Sequence, residues 1–108
     1  MASLTHEQFR AFYLIGQNTQ PVDEQVWTGS YTEVVVPFRQ IVGRAIALDA
    51  SALVIAHNHP SGDPTPSRED VEVTRRLFNI CRQLDIRVRD HVIVGEQRTF
   101  SFFNQGLL

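Results

Sequence analysis

The sequence predicts an α/β fold, an α/β sandwich built on a mixed sheet. Three observations carry that prediction. Short stretches rich in β-favouring or continuously apolar residues lie near the start, middle and end of the chain. Two longer segments carry apolar residues at three- and four-residue spacing, the period of a helix. Their order is strands, helix, strand, helix, strands, which calls for helices packed on a sheet rather than a helical bundle or an all-β barrel.

Taken in order, Phe9 to Ile15 (F-R-A-F-Y-L-I) reads as a strand, and Gly16-Gln17-Asn18 supplies a turn. Gln25 to Thr28 and Glu33 to Val36 are further strand-like pieces, separated by Gly29-Ser30. From Phe38 the period changes: Ile41, Val42, Ala45, Ile46 and Leu48 predict a helix. Leu53 to Ala56 is a continuous apolar run, as a buried central strand requires. Pro60, Gly62, Pro64 and Pro66 make the next segment a stiff loop. Ser67 to Leu84 is a helix with Val73, Leu77, Ile80, Cys81 and Leu84 on one face. Ile86 to Val94 and Thr99 to Phe102 close the chain as strands.

At 108 residues, the chain is expected to form a single domain over residues 1–108 with a core that needs no staples. Its 43% hydrophobic and 20% charged residues place it among soluble globular chains. A net charge of −2 excludes a surface devoted wholly to nucleic acid. All 10 basic residues are Arg, for which we have no physical account. The single Cys81 excludes an internal disulfide and fits a reducing compartment. Met1 to Glu7 lacks the basic start and apolar stretch of a signal peptide, and no apolar run reaches membrane-spanning length, so a cytoplasmic protein without a membrane partner is expected. No feature of the sequence fixes an oligomeric state.

The chemistry concentrates in His57-Asn58-His59-Pro60, followed by Ser67 and Asp70. Strand residues two apart point the same way, so His57 and His59 can aim at one ion if the strand extends through Asn58. Asp70 falls in the first turn of the next helix, where the proline-stiffened loop can fold it back to the same point. Two neutral imidazoles and a carboxylate form a three-ligand set that suits Zn²⁺ and leaves a fourth position open, as catalytic zinc sites do. Ser67 and Asp70 also match the S-x-x-D pattern of a capping box, which accounts for both without a metal. Other zinc readings fail: there is no H-x-E with P-C-x-x-C for a deaminase, no set of thiolates for a zinc finger, and no H-E-x-x-H helix.

The stretch from Ala56 to Asp70 resembles the JAB/JAMM metalloprotease motif, H-[ST]-H-P followed by S-x-x-D. It is closer still to the RadC-like branch, H-N-H-P-S-G-x-x-x-P-S-x-x-D. The similarity continues through Asp85-Ile86-Arg87-Val88, Asp90-His91-Val92-Ile93-Val94-Gly95 and the terminal Ser101-Phe102-Phe103 and Gly106-Leu107-Leu108. Departures are Ile15-Gly16 where the family has L-D, Phe38-Arg39-Gln40 where it has P-R-E, and no helix-hairpin-helix segment of the kind larger relatives carry.

The resemblance implies a JAB/JAMM (cytidine deaminase-like) α/β sandwich, its mixed sheet flanked by helices. It further implies zinc held by His57, His59 and Asp70, with Ser67 as hydrogen-bond donor, and an upstream Glu as general base. Glu7 occupies that place, and Glu33 is its rival. The implied activity is zinc-dependent hydrolysis of a peptide or isopeptide bond. His91 either orients a ligand or makes a structural hydrogen bond, and Cys81 is expected in the core. A different reading follows the family's DNA-repair label: a nucleic-acid-binding module using Arg75, Arg76, Arg82, Arg87 and Arg89. Those arginines equally suit a solvated helix face and strand edge. A third reading is an inactive scaffold.

Overall fold

The computed structural model describes residues 6–17, 19–29 and 36–108. Among these residues five strands and two helices follow one another as β1 (Gln8–Leu14), β2 (Asp23–Thr28), α1 (Phe38–Ala47), β3 (Ala52–Asn58), α2 (Arg68–Gln83), β4 (Arg87–Val94) and β5 (Thr99–Ser101). The strands form one mixed sheet in the order β2-β1-β3-β4-β5. Only β3 and β4 run parallel, joined through α2; the other neighbours are antiparallel. The α/β prediction with a mixed sheet is what is found. Glu33, Val34 and Val35 lie outside the described residues, and with them the strand expected there and the rival base Glu33.

The residues on one side of the sheet make the core. Phe9, Ala11 and Tyr13 of β1 lie opposite His57, Ile55 and Leu53 of β3, so all six share a face. On that face they meet Ile41 and Ala45 of α1 and Leu77 and Cys81 of α2. Arg76 of α2 sits over the Phe38 ring of α1 at 4.9 Å, and both helices therefore cover the same side. Cys81 is buried there, and burial pushes its thiol up to about 11. Leu84, expected on the buried face of α2, is 46% exposed. The helix ends first: Asp85 takes φ +58°, and the Ile86 N–H closes back on the Cys81 carbonyl at 2.9 Å, which turns Leu84 outward. Thr74 is buried in the helix face instead.

Two local devices act on β4. The β3–β4 ladder shifts register between Leu53 and Val54, where Leu53 pairs with Val88 and Val54 with Asp90, leaving Arg89 as the extra residue of a bulge. At the chain's end, Asp90 accepts from the backbone N–H of Phe103 at 3.0 Å and from the Ser101 hydroxyl at 2.6 Å, tying the last turn to β4.

Candidate metal centre

The site forms where β1 begins, β3 ends and α2 begins. Strand β3 does extend through Asn58, and the His59 N–H still bonds the Val94 carbonyl at 3.1 Å. His57 and His59 consequently point the same way, with their Nε2 atoms 3.2 Å apart. Asp70 comes to meet them: its Oδ1 lies 3.2 Å from His57 Nε2 and its Oδ2 2.9 Å from His59 Nε2. The capping box is present as well. Ser67 Oγ accepts from the Asp70 N–H at 3.0 Å, while the Ser67 N–H donates to Asp70 Oδ2 at 2.8 Å. Helix capping and the meeting with the histidines are one arrangement, because the cap fixes the carboxylate that faces the rings.

The tautomers follow from the partners. His59 Nδ1 lies 2.9 Å from the Asp63 carbonyl, which can only accept, so Nδ1 carries the proton and Nε2 a lone pair. Thr74 Oγ1 donates to the Asp70 carbonyl at 2.7 Å and must therefore accept from His91 Nδ1, with which it is in close contact. Neutral His91 then accepts at Nε2 from His57 Nδ1, 2.7 Å away, and His57 Nε2 is left with a lone pair. Burial first, and then the neighbouring His57, push His91 down to about 3, which keeps it neutral as this chain of bonds requires. Two imidazole lone pairs and a carboxylate thus converge within 3.2 Å of one another.

Three lone-pair groups cannot sit so close without a cation or a proton among them. Without a metal the proton takes that place: the bond to Asp70 is the main cause raising His59 above its usual range. Burial raises the Asp70 carboxyl, but its bonds with His57 and His59 together outweigh this and hold it well below the carboxylate range. With one, the fit is close. Tetrahedral zinc with ligands at ~2.0–2.1 Å sets its donors roughly 3.3 Å apart, near the separations seen here.

Glu7 completes the constellation. Its carboxylate and ring nitrogens of His57 and His59 lie within 4.8 Å of one another, a grouping able to hold a metal ion. Burial is the main cause raising its carboxyl; the histidines oppose this and the Asp70 charge adds to it. A cleft of about 510 Å³ opens over the cluster, with Phe9, Val36 and Val73 as its apolar wall and Ser67 at its rim. Ser67 is exposed and accepts the cap bond, which leaves its own O–H free to donate.

Every expected site residue in the described part of the chain therefore meets at one place: Glu7, His57, His59, Ser67 and Asp70 all line this cleft. His91 is stacked on Phe102 and hydrogen-bonded to His57. Sequence reasoning missed Thr74, although its place four residues after Asp70 puts both on one side of the helix.

A sequence profile for the RadC-like JAB domain matches residues 1–107. The chain belongs to the RadC-like JAB family. This RadC-like JAB chain is 44% identical over 108 residues to UPF0758 protein YkfG of Escherichia coli (strain K12), covering 68% of that protein. It is 45% identical to UPF0758 protein YeeS of the same organism, covering 73% of it. UPF0758 protein SPO0054 of Ruegeria pomeroyi is 44% identical, and the chain covers 48% of its length. Among the described residues no helix is long and apolar enough to cross a membrane.

Proposed function

We propose that the chain is a zinc-dependent hydrolase of a peptide or isopeptide bond. The observation that carries this reading is the convergence of two imidazole lone pairs and the Asp70 carboxylate beside Glu7, in an open cleft. His57, His59 and Asp70 would hold the ion, which when bound supplies Lewis acidity toward water and a carbonyl oxygen. Glu7 removes a proton from the attacking water as its oxygen bonds the amide carbon. The same carboxyl then delivers that proton to the nitrogen as the C–N bond breaks. A carboxyl raised by burial is suited to both halves of that transfer. The Ser67 hydroxyl donates to the carbonyl oxygen as negative charge builds there, a contribution of ~3 kcal/mol for such donors. His91 and Thr74 keep His57 in the tautomer whose Nε2 can ligate.

Of the five arginines of the nucleic-acid reading, Arg76 lies over Phe38 and Arg89 donates to the Gly16 carbonyl at 3.4 Å, while Arg75, Arg82 and Arg87 are exposed. Metal analysis of purified protein tests the main reading: about one zinc per chain, lost in both His57→Ala and Asp70→Ala, is expected. Cleavage of peptide and isopeptide-linked substrates should stop in Glu7→Gln even when zinc is supplied to saturation. Full zinc content in the two ligand variants would overturn the assignment of the centre.

A further inference from the structure

Asn58 stands between the two site histidines in the chain, yet its side chain takes no part in their cluster. It is wholly buried, and a buried amide must find partners for both of its ends. Its Oδ1 accepts the Gln8 N–H at 2.6 Å, and its Nδ2 donates to the His6 carbonyl at 3.1 Å. Those two backbone groups lie on either side of Glu7. The Glu7 carbonyl itself accepts from the Gly29 N–H at 2.9 Å. The β1–β3 ladder begins at Phe9 opposite His57, and the same antiparallel register carried back two residues sets Glu7 opposite His59. The Asn58 amide thus takes over where that ladder stops and extends the hold of β3 past Glu7.

We propose that Asn58 is the positioning residue for the Glu7 carboxylate. The proposal rests on the reading of His57, His59 and Asp70 as a zinc centre. Asn58 touches neither the cluster nor the cleft; it acts by fixing the backbone on both sides of Glu7, so that the carboxylate stays at its place beside the rings. The middle residue of H-N-H therefore serves the proton-carrying group, while its two neighbours serve the ion. A residue that only fastened β1 to β3 would change stability without regard to the charge on Glu7.

The test is a zinc-competition titration at neutral pH on four proteins: wild type, Glu7→Gln, Asn58→Leu and the double variant, each first shown to be folded by circular dichroism. Loss of a carboxylate near the ion is expected to weaken zinc binding about tenfold, within the range for groups that support metal ligands. Asn58→Leu should lose about as much as Glu7→Gln, and the double variant no more than Glu7→Gln alone, the non-additivity of residues that act through one another. Wild-type affinity in Asn58→Leu, or a further tenfold loss in the double variant, would overturn the role of Asn58. If Asn58→Leu does not fold, hydrogen exchange in the wild-type, metal-free chain decides. The Gln8 amide should exchange at least ~100-fold more slowly than in an unfolded peptide, and a freely exchanging Gln8 amide overturns the proposal. A wild-type chain that binds no zinc fails the proposed function instead, a result distinguishable from either of these.

Discussion

Gly95 offers a sharp test of how the loop after His59 is held. Its backbone does not lie in the left-handed region, so alanine is conformationally acceptable there; the obstacle is space. A Cβ at Gly95 would lie 2.7 Å from Pro64 Cδ, and closer still to the Gly62 carbonyl oxygen. Carbon atoms in contact prefer ~3.5–4.0 Å, so Gly95→Ala must push the loop away by about 1 Å. The neighbours that would have to give are a proline ring and a backbone carbonyl, and neither has a flexible end to swing aside. That carbonyl accepts the Glu96 N–H at 2.9 Å, and the same loop supplies the Asp63 carbonyl that holds His59 Nδ1. The strain is expected to cost about 2 kcal/mol, a fall of roughly 10 °C in Tm for a domain of this size. A displacement of about 1 Å also far exceeds the ~0.2 Å that metal–ligand distances tolerate, so zinc affinity should fall ~10-fold or more. Gly43→Ala is the control, since a Cβ there meets nothing within 4 Å and Gly43 lies inside α1. That change should stabilise by ~0.5–1 kcal/mol through helix propensity and leave zinc binding alone. Thermal unfolding and zinc competition on both variants read the outcome. A Gly95→Ala protein with Tm within about 2 °C of wild type and unchanged zinc affinity would refute the reasoning.

Two further expectations concern single side chains. Burial raises the Cys81 thiol from near 9 to about 11, so the fold favours the protonated form. The stability it contributes is fully present below pH 9 and lost as pH rises from 9 toward 11. At pH 8, iodoacetamide should label Cys81 at least ~100-fold more slowly in the native chain than in urea, and native labelling within tenfold of the unfolded rate would contradict this. Ser67→Ala removes the acceptor for the Asp70 N–H and should lower stability by ~1 kcal/mol, whereas Ser67→Thr keeps that acceptor and should stay near wild type. Equal denaturation midpoints for Ala and Thr would show that the cap is energetically idle.

How far the sequence could be read depended on the range of the interactions involved. Elements whose signal is local were legible. The continuous run Leu53 to Ala56 marked the central strand, and the spacing of Ile41 and Ala45 marked α1. His57, His59 and Asp70 were legible because two-residue strand periodicity and a cap motif are both short-range codes. Leu84 misled because the helical period ran one residue past Gln83, where the helix ends ahead of the left-handed Asp85. Asn58 was visible as a letter of the motif, but its work is done on residues fifty or more positions upstream. Gly95 likewise stood only as a letter of the family resemblance: the loop it admits is brought against it by the sheet, not by its neighbours in the chain.

The single extra residue in β4 has a consequence best put as arithmetic of odd and even. Counting from Leu53 opposite Val88, an unbroken parallel ladder would set Asp90 opposite Ile55 and His91 opposite Ala56. Because a strand alternates sides at every step, Asp90 would then point toward the helices and His91 away from them. Arg89 shifts the count by one. His91 falls opposite Ile55, on the side where His57 waits, and Asp90 falls opposite Val54 on the other side. A ladder running unbroken through Arg89 would exchange a neutral imidazole for a carboxylate beneath His57 while leaving the motif itself untouched, whereas deleting the bulged residue would keep His91 opposite Ile55. The centre thus depends on a parity set outside its motif: as long as Arg89 is present, the ladder must step around it for His91 to reach His57.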